Sequence, residues 1–232
     1  MFPVAILAGG LATRLRPLTE TIPKSLVSIR GEPFIVHQLR LLAARGLTRV
    51  VLCLGYRAEM VREVVGDGRI FGLQVEYSLD GPVLRGTAGA IHQAAPLLGD
   101  HFFVLYGDSY LPCDYRAVQR AYLESGKVGL MTVYRNEGQW DTSNVEFHDR
   151  EILAYDKQNH TERMRHIDYG LGVFHRSPFD AIASGEKRDL ASVYQELLRR
   201  GELAGFEVSE RFYEIGSFEG IRDMETYTAA CG

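Results

Sequence analysis

The chain has 232 residues, of which 46% are hydrophobic and 24% are charged, and its formal net charge is -4. This length and composition predict a soluble globular protein with one sizeable core. The negative balance argues against a nucleic-acid binder, which needs concentrated positive charge. No apolar run approaches the roughly 20 residues of a membrane helix, and residues 1–8 lack the basic start of a signal peptide. We therefore expect a cytoplasmic protein with no membrane partner.

Strand-like and helical patterns alternate along the first half of the chain. Apolar runs predict strands at residues 3–8, 49–54, 73–78 and 102–106, and helical spacing predicts helices at 33–45, 57–65, 87–97 and 115–124. This alternation predicts an α/β fold with a mostly parallel sheet and helices on both faces. After a strand at 128–134, shorter strands near 144–147, 152–154 and 167–174 predict a mixed sheet built onto the first half. Two further helices are predicted at 191–200 and 218–227.

The first predicted strand runs into a glycine turn that is followed by cations. Gly9 and Gly10 lack a Cβ, so their backbone can approach a phosphate and present N–H groups to it, while Arg14 and Lys24 supply positive charge. The glycine pair alone is equally typical of a tight turn; together with the cations it predicts a phosphate site. A Walker loop or a dinucleotide fingerprint would need other residues after Gly10.

A second pattern places a carboxylate at the end of a buried strand. Residues 102–106 are followed by Gly107 and Asp108, and in α/β sheets the carboxyl ends of strands are where ligands bind. Mg²⁺ prefers one or two protein oxygens and leaves its other positions to water and phosphate. Asp108 is therefore our first predicted metal ligand, and an aspartate that caps the following turn is the alternative.

Residues 4–19, followed by Pro23-Lys24-Ser25-Leu26, resemble the nucleotide-binding signature of the sugar-1-phosphate nucleotidylyltransferases. That signature reads Gly-Gly-x-Gly-Thr-Arg-Leu-x-Pro-Leu-Thr and then Pro-Lys-Pro-Leu, and Ala12 and Ser25 replace a glycine and a proline in it. The resemblance covers nearly the whole chain and points most strongly to the short single-domain heptose-1-phosphate and mannose-1-phosphate guanylyltransferases. It implies a Rossmann-like three-layer α/β/α nucleotidyltransferase fold in one domain, residues 1–232, with a nucleotide-binding half at about 1–125 and a sugar-binding half at about 126–232.

The resemblance implies an enzyme that transfers a nucleotidyl group from an NTP to a sugar 1-phosphate and releases pyrophosphate. GTP is the favoured NTP, with UTP or dTTP as alternatives, and Mg²⁺ or Mn²⁺ is the implied cofactor. The sequence leaves the oligomeric state open, a homo-oligomer included. The implied catalytic residues are Arg14 and Lys24. The implied nucleotide-binding residues are Leu7, Ala8, Gly9, Gly10, Thr13, Arg14, Lys24, Gly86, Thr87 and Asp108.

The second implied metal ligand is Glu214. It stands in the segment 212–216, where the family has an aspartate between an aromatic residue and a glycine. A surface glutamate on an edge strand and an ion-pair partner for Lys24 are the alternatives. Two other functions also stay open: a non-catalytic nucleotide-sugar-binding module, and a glycosyltransferase of related fold, although the Asp-x-Asp pattern of such glycosyltransferases is absent after Asp108.

The sugar phosphate is implied to bind in the second half of the chain, at Asn144, Asp156, Lys157, Asp168, Tyr169 and Gly170. Asp156 and Lys157 stand where the family has a Glu-Lys pair. Judged without the resemblance, Lys157 is typical of a solvated turn. Asp80 and Arg85 are candidates for contacts to the base or ribose, and solvent-facing loop charges are the alternative for both.

Overall fold

The computed structural model describes residues 1–10, 13–81 and 85–231, with the side chains of Thr13 and Cys231 excepted. Its strands are β1 (Val4–Ala8), β2 (Ser28–Ile29), β3 (Glu32–Pro33), β4 (Arg49–Leu54), β5 (Gln74–Leu79), β6 (His101–Tyr106), β7 (Ser109–Tyr110), β8 (Gly129–Arg135), β9 (Val145–His148), β10 (Glu151–Tyr155), β11 (His166–His175), β12 (Leu203–Val208) and β13 (Tyr213–Glu214). Its helices are α1 (Phe34–Ala44), α2 (Ala58–Val65), α3 (Gly86–Leu98), α4 (Tyr115–Ser125), α5 (Ser177–Asp180), α6 (Leu190–Arg199) and α7 (Phe218–Cys231). Among the described residues, every helix is too short or too polar to span a lipid bilayer.

Nine of the described strands form one mixed sheet. β5, β4, β1 and β6 are neighbouring parallel strands. β11 pairs antiparallel with β6 and with β8, and β12 runs parallel to β8. The hairpin of β9 and β10 lies beside β11. The predicted α/β fold with a mixed sheet is thereby confirmed, and the sheet is continuous across the proposed division near residue 125, which itself stays a prediction.

Helices cover both faces of this sheet. α1, α2 and α4 pack on one face, and α3, α5 and α6 pack on the other. Successive side chains of β1 point to opposite faces: Val4 and Ile6 lie in the first core layer and Ala5 lies in the second. Because both faces of the strand are buried, its sequence is a continuous apolar run rather than an alternating one.

A third and smaller core cluster lies beneath the segment that follows β1. Its fully or almost fully buried members are Leu15, Val27, Ile29, Phe34, Ile215 and Met224. Leu15 comes directly after Arg14, and Ile215 comes directly after Glu214. Packing of these two apolar side chains in one cluster therefore holds two predicted site residues near each other, although 200 positions separate them along the chain.

Helix α7 packs against the strand that carries Glu214, and Gly220 makes the close contact. A Cβ added at Gly220 would lie 2.0 Å from the carbonyl oxygen of Glu214 and 3.2 Å from its carbonyl carbon. Both atoms belong to the backbone, which cannot move aside as a flexible side chain can. Any side chain at this position must therefore displace α7 from β13.

We expect Gly220→Ala to destabilise the protein by roughly 1–3 kcal/mol, which is the usual range for overpacking. The sign is informative, because alanine normally stabilises a helix relative to glycine. The measurement is the free energy of unfolding in urea, with Glu219→Ala at the neighbouring exposed position of α7 as the control. A Gly220→Ala protein as stable as the parent would contradict the close contact.

Candidate active site

The candidate site lies at the carboxyl ends of β1, β4 and β6, where three loops approach closely. The N–H of Gly107 donates to the carbonyl oxygen of Leu7 at 2.9 Å, and a Cβ added at Gly107 would lie 2.7 Å from the Cβ of Ala8. A Cβ added at Gly9 would lie 3.0 Å from a carboxylate oxygen of Asp80. The spacing of the loops therefore requires glycine at position 107, and a side chain at position 9 would require the Asp80 carboxylate to shift.

A cleft of about 250 Å³ opens at this edge of the sheet. Its lining residues come from the loops after four strands and from the start of α3: Leu7, Ala8, Gly9, Gly10, Lys24, Ser25, Cys53, Asp80, Gly86, Thr87, Ala90, Tyr106, Gly107 and Asp108. Eight of the ten residues predicted to bind a nucleotide lie in this lining. Of the other two, Arg14 lines a neighbouring groove, and the side chain of Thr13 lies outside the described part of the chain. Ala12, which replaces a glycine of the family signature, also lies outside the described residues.

Lys24 and Asp108 form an ion pair inside the cleft. The Lys24 Nζ donates to Asp108 Oδ2 at 2.7 Å, and the side chains keep 22% and 30% of their surface exposed. Asp108, rather than Glu214, is therefore the ion-pair partner of Lys24. Both groups remain open to a ligand, because partly exposed charges are only weakly held by each other.

Glu214 reaches the same place from the C-terminal part of the chain. β13 pairs with β7 so that Glu214 lies opposite Ser109, and the N–H of Ile215 donates to the carbonyl oxygen of Asp108 at 2.9 Å. The pKa of the Glu214 carboxyl is raised to about 7, first by desolvation and then by the charges of Asp108 and Asp141. The side chain is nevertheless exposed, so this desolvation comes from the walls of an open groove and not from burial in the core.

Asp108 and Glu214 together supply a donor set of two neighbouring carboxylates. Carboxylate oxygens are the ligands that Mg²⁺ prefers, and one or two of them suffice when phosphate oxygens and water complete its octahedral shell. The residues present therefore fit a magnesium ion that binds together with a phosphate. Among the described residues, no group of three or more His, Cys, Asp and Glu side chains could hold a metal ion.

The second half of the chain contributes a polar cluster centred on Asp168. The hydroxyl of Tyr155 donates to Asp168 Oδ2 at 3.1 Å, and the N–H of Gly170 donates to Oδ1 at 3.1 Å. The side-chain oxygen of Asn144 accepts the N–H of Asp168 at 2.9 Å. Three of the residues predicted to bind the sugar phosphate are therefore brought together in one network.

The other residues predicted on the sugar side differ in their positions. Lys157 Nζ lies 3.9 Å from Asp168 Oδ2 and 5.2 Å from the ring centre of Tyr106, which lines the cleft. Asp156 is held in its own turn, where it accepts backbone N–H bonds from the next residues. The side chain of Tyr169 is buried in the core and 1% exposed, so only its backbone is available to a ligand in the cleft.

A groove of about 760 Å³ lies next to the cleft and contains Arg14. Asp141 and Glu214 line it as well. Arg211 packs over Trp140, with its guanidinium carbon 3.3 Å from the ring centre, a geometry typical of a cation–π contact. This groove brings the cation of Arg14 together with the carboxylates of Asp141 and Glu214.

The start of α3 is held by a loop from the second half of the chain. The carbonyl oxygen of Arg188 would lie 2.6 Å from a Cβ at Gly86, whose φ is +72°. The hydroxyl of Thr87 donates to Asp189 at 3.1 Å and accepts the N–H of Leu190 at 2.6 Å. The Thr87 side chain thus fixes the loop that borders the cleft, and its hydroxyl is already engaged by protein groups.

Gln38 of α1 holds the turn that carries Asp108. It is completely buried, and its Nε2 donates to the carbonyl oxygens of Tyr106 at 3.0 Å and Ser109 at 2.7 Å. Sequence reasoning missed this residue. The signal was a glutamine on the apolar face of a predicted helix, since a buried polar side chain is more informative than an exposed one.

Comparison with known protein families decides the family. A family model described as nucleotidyl transferase matches residues 4–147. The chain belongs to this family. The predicted resemblance to the nucleotidylyltransferases is thereby confirmed.

The chain is similar to curated nucleotidyltransferases along most of its length. It is 30% identical over 227 residues to a mannose-1-phosphate guanyltransferase of Neurospora crassa, an alignment that covers 91% of this chain and 60% of the relative. The chain thus spans about 60% of the length of that relative. It is 26% identical over 231 residues to an N-acetylmuramate alpha-1-phosphate uridylyltransferase of Neisseria meningitidis, with 97% of both chains covered.

Two solved structures share the fold of this chain. HddC from Yersinia pseudotuberculosis, complexed with GMP-PN, superposes with a TM-score of 0.80 at 22% identity and covers 98% of this chain and 100% of its own. The inositol-1-phosphate CTP transferase from T. maritima superposes with a TM-score of 0.77 at 19% identity, covering 97% and 95%. The predicted nucleotidyltransferase fold is confirmed by these superpositions.

We expect Gln38→Met to lower the free energy of unfolding by roughly 1–3 kcal/mol for each buried carbonyl that loses its donor. Methionine fills a similar volume, so the loss reports the hydrogen bonds and not a cavity. Urea unfolding measures it, with Gln74→Met on the exposed edge strand as the matched control. If the Gln38→Met protein unfolds at the same denaturant concentration as the parent, the two bonds do not hold the turn.

Proposed function

We propose that this chain catalyses the transfer of a nucleotidyl group from an NTP to a sugar 1-phosphate, with release of pyrophosphate. One observation carries the proposal: Lys24 and Asp108 lie 2.7 Å apart in a glycine-lined cleft, and β13 brings Glu214 beside them. Glycine backbone and a lysine suit the phosphates of an NTP. Two carboxylates suit the divalent cation that accompanies those phosphates.

The names of the relatives favour this reaction over the alternatives. They include a mannose-1-phosphate guanyltransferase and an N-acetylmuramate alpha-1-phosphate uridylyltransferase, which are transferases and not binding modules or glycosyltransferases. We favour GTP as the NTP, with UTP or dTTP as alternatives. The Asp168 network offers hydroxyl, amide and carboxylate groups, which suit the hydroxyl groups of a sugar.

The proposed reaction needs no covalent enzyme intermediate. An oxygen of the sugar 1-phosphate attacks the α-phosphorus of the NTP in line, a new P–O bond forms, and the bond to the bridging oxygen of pyrophosphate breaks. Lys24 would hold the α-phosphate, Arg14 the leaving pyrophosphate, and Lys157 the incoming phosphate. Catalysis would then come from positioning and from neutralising negative charge.

Asp108 and Glu214 are the residues that would hold Mg²⁺, or Mn²⁺ in its place. A bound divalent cation supplies charge neutralisation on the phosphate oxygens. The ammonium of Lys24, 2.7 Å from Asp108, adds a second positive charge beside the same carboxylate. The cytoplasmic location and a homo-oligomeric state stay predictions from the sequence.

The experiment that tests the proposal is pyrophosphate release in the presence of Mg²⁺. GTP, UTP, dTTP, CTP and ATP are combined with heptose, mannose, glucose and N-acetylated hexosamine 1-phosphates. We expect one strongly preferred pair, whose product is an NDP-sugar by mass spectrometry. No release from any pair, by a preparation that still binds nucleotide, would favour the binding module.

We expect Lys24→Met to lower kcat by about 10²- to 10³-fold, as loss of one group that stabilises transition-state charge usually does. Methionine keeps an unbranched apolar stem and removes the terminal ammonium group with its charge. Steady-state kinetics with the preferred pair measure the change, and Lys127→Met is the control because that lysine contacts the carbonyl oxygen of Gly201 instead. Unchanged turnover would remove Lys24 from the catalytic residues.

We expect Glu214→Gln to raise the Mg²⁺ concentration needed for half-maximal activity by about tenfold or more, because the amide keeps the shape but loses the anionic oxygen that a hard cation prefers. The measurement is a Mg²⁺ titration of pyrophosphate release. Glu219→Gln, which changes another carboxylate of the same groove, is the control. A metal requirement identical to the parent's would take Glu214 out of the metal site.

A further inference from the structure

Two residues that follow β4 contact both ends of the segment that carries Arg14. β1 and β4 are parallel neighbours with Ala8 opposite Leu54, so the loops after the two strands leave the sheet side by side. Gly9 and the segment of residues 13–20 belong to the first loop, and Tyr56 belongs to the second. We name the contacts of Tyr56 and Arg57 with this segment the loop clamp.

Tyr56 bridges the segment from its start to its end. The backbone N–H of Tyr56 donates to the carbonyl oxygen of Gly9 at 3.4 Å, and its hydroxyl donates to the carbonyl oxygen of Glu20 at 2.7 Å. One residue therefore sets the distance between the two ends of the segment. Both bonds go to backbone atoms, so they act on the path of the chain and not on particular side chains.

Arg57 completes the clamp with its guanidinium group. Nη2 donates to the same carbonyl oxygen of Glu20 at 3.2 Å, and Nε donates to the hydroxyl of Tyr56 at 2.8 Å. The guanidinium carbon lies 5.3 Å from the ring centre of Tyr56. The Tyr56 hydroxyl therefore accepts from Arg57 while it donates to Glu20, which fixes the direction of both bonds.

The backbone of Arg57 adopts an unfavourable conformation to make these contacts. Its φ is 51° and its ψ is 41°, just before the first residue of α2. This left-handed region is uncommon for residues other than glycine, asparagine and aspartate, and strain of this kind concentrates where the surrounding structure requires it. A glycine would adopt this backbone conformation without strain. What arginine adds at this position is the guanidinium group that makes the contacts of the clamp.

The clamp lies on the surface, whereas Leu15 and Thr19 of the same segment are buried. Leu15 is fully buried in the third core cluster, whereas Arg57 and Glu20 are exposed. Exposed hydrogen bonds contribute little to the folding of a domain. They are suited to fixing a local path of the chain, and Arg14 lies on that path between Gly9 and the buried Leu15.

We propose that Tyr56 and Arg57 are positioning residues that hold Gly9 and residues 13–20 in the arrangement in which Arg14 meets the triphosphate of the NTP. This inference rests on the proposed function. The two residues act through the backbone of Gly9 and Glu20, and the side chain that responds is Arg14.

The test uses Tyr56→Phe, which removes only the hydroxyl, and Arg57→Gly, which removes the guanidinium and relieves the backbone. Each is made in the parent and in an Arg14→Ala background. Arg62→Ala is the control, because this exposed arginine of α2 bonds to Glu59 and packs over Tyr77, away from the segment. The measurements are kinetics with the preferred substrates, calorimetric binding of GMP-PNP, and amide hydrogen exchange of residues 13–20.

We expect both variants to lower kcat/KM for the NTP by roughly three- to tenfold, the effect of one net hydrogen bond, and to leave the KM for the sugar 1-phosphate within about twofold of the parent's. With GMP-PNP bound, the amides of residues 13–20 should exchange faster in both variants than in the parent. Arg57→Gly should melt no lower than the parent, and Arg57→Ala, which keeps the Cβ, should melt below Arg57→Gly. In the Arg14→Ala background neither variant should lower kcat/KM for the NTP or the affinity for GMP-PNP any further.

If kcat/KM for the NTP in both variants equals that of the parent, the inference is overturned. The inference would also be overturned if either variant lowered kcat/KM for the NTP as much in the Arg14→Ala background as in the parent. Tyr56 and Arg57 would then act on the nucleotide without Arg14. If the parent turns over no substrate pair, the proposed function fails. The binding of GMP-PNP and the exchange of residues 13–20 would still decide the positioning role in that case.

Discussion

The contact of Leu15 with the cluster around Ile215 is the constraint on which the candidate site depends. Arg14 and Glu214 lie at distant positions in the chain, and neither belongs to the main sheet. Their apolar neighbours share one small core with Met224 of α7. Burial of these side chains is favourable without any requirement for direction, yet it places a cation and a carboxylate in the one groove that lies next to the cleft. The closing helix therefore serves the site as well as the fold.

Negative charge crowds the centre of this site. The carboxylates of Asp108 and Asp141 help to raise the pKa of Glu214, and Lys24 opposes them. A protein that kept these groups for stability alone would separate them, because like charges that lie close together repel each other. Their convergence is what a cation-assisted reaction on phosphates requires, and the ion pair of Lys24 with Asp108 offsets part of the negative charge.

Long periodic elements could be predicted from the sequence, and short or irregular ones could not. The strand predicted at 49–54 is β4 as observed, because a run buried on both faces has no competing interpretation. β12 was missed: Gly205 lies in its middle, where a Cβ would lie 2.5 Å from the ring of Phe147, and a glycine inside a short run weakens the strand pattern. The ribbon of β7 and β13 has two residues in each strand, which is too short for any period.

Strand alternation also explains why the predicted site residues differ in their accessibility. In β11, Ile167 and Tyr169 lie in the same core layer, and Asp168 between them points to the other side, where it meets Tyr155 and Lys157. A family motif names neighbouring residues together, but the period of two in a strand allows only every second side chain to reach one ligand. A motif thus locates a site along the chain, and the backbone geometry decides which of its side chains can act there.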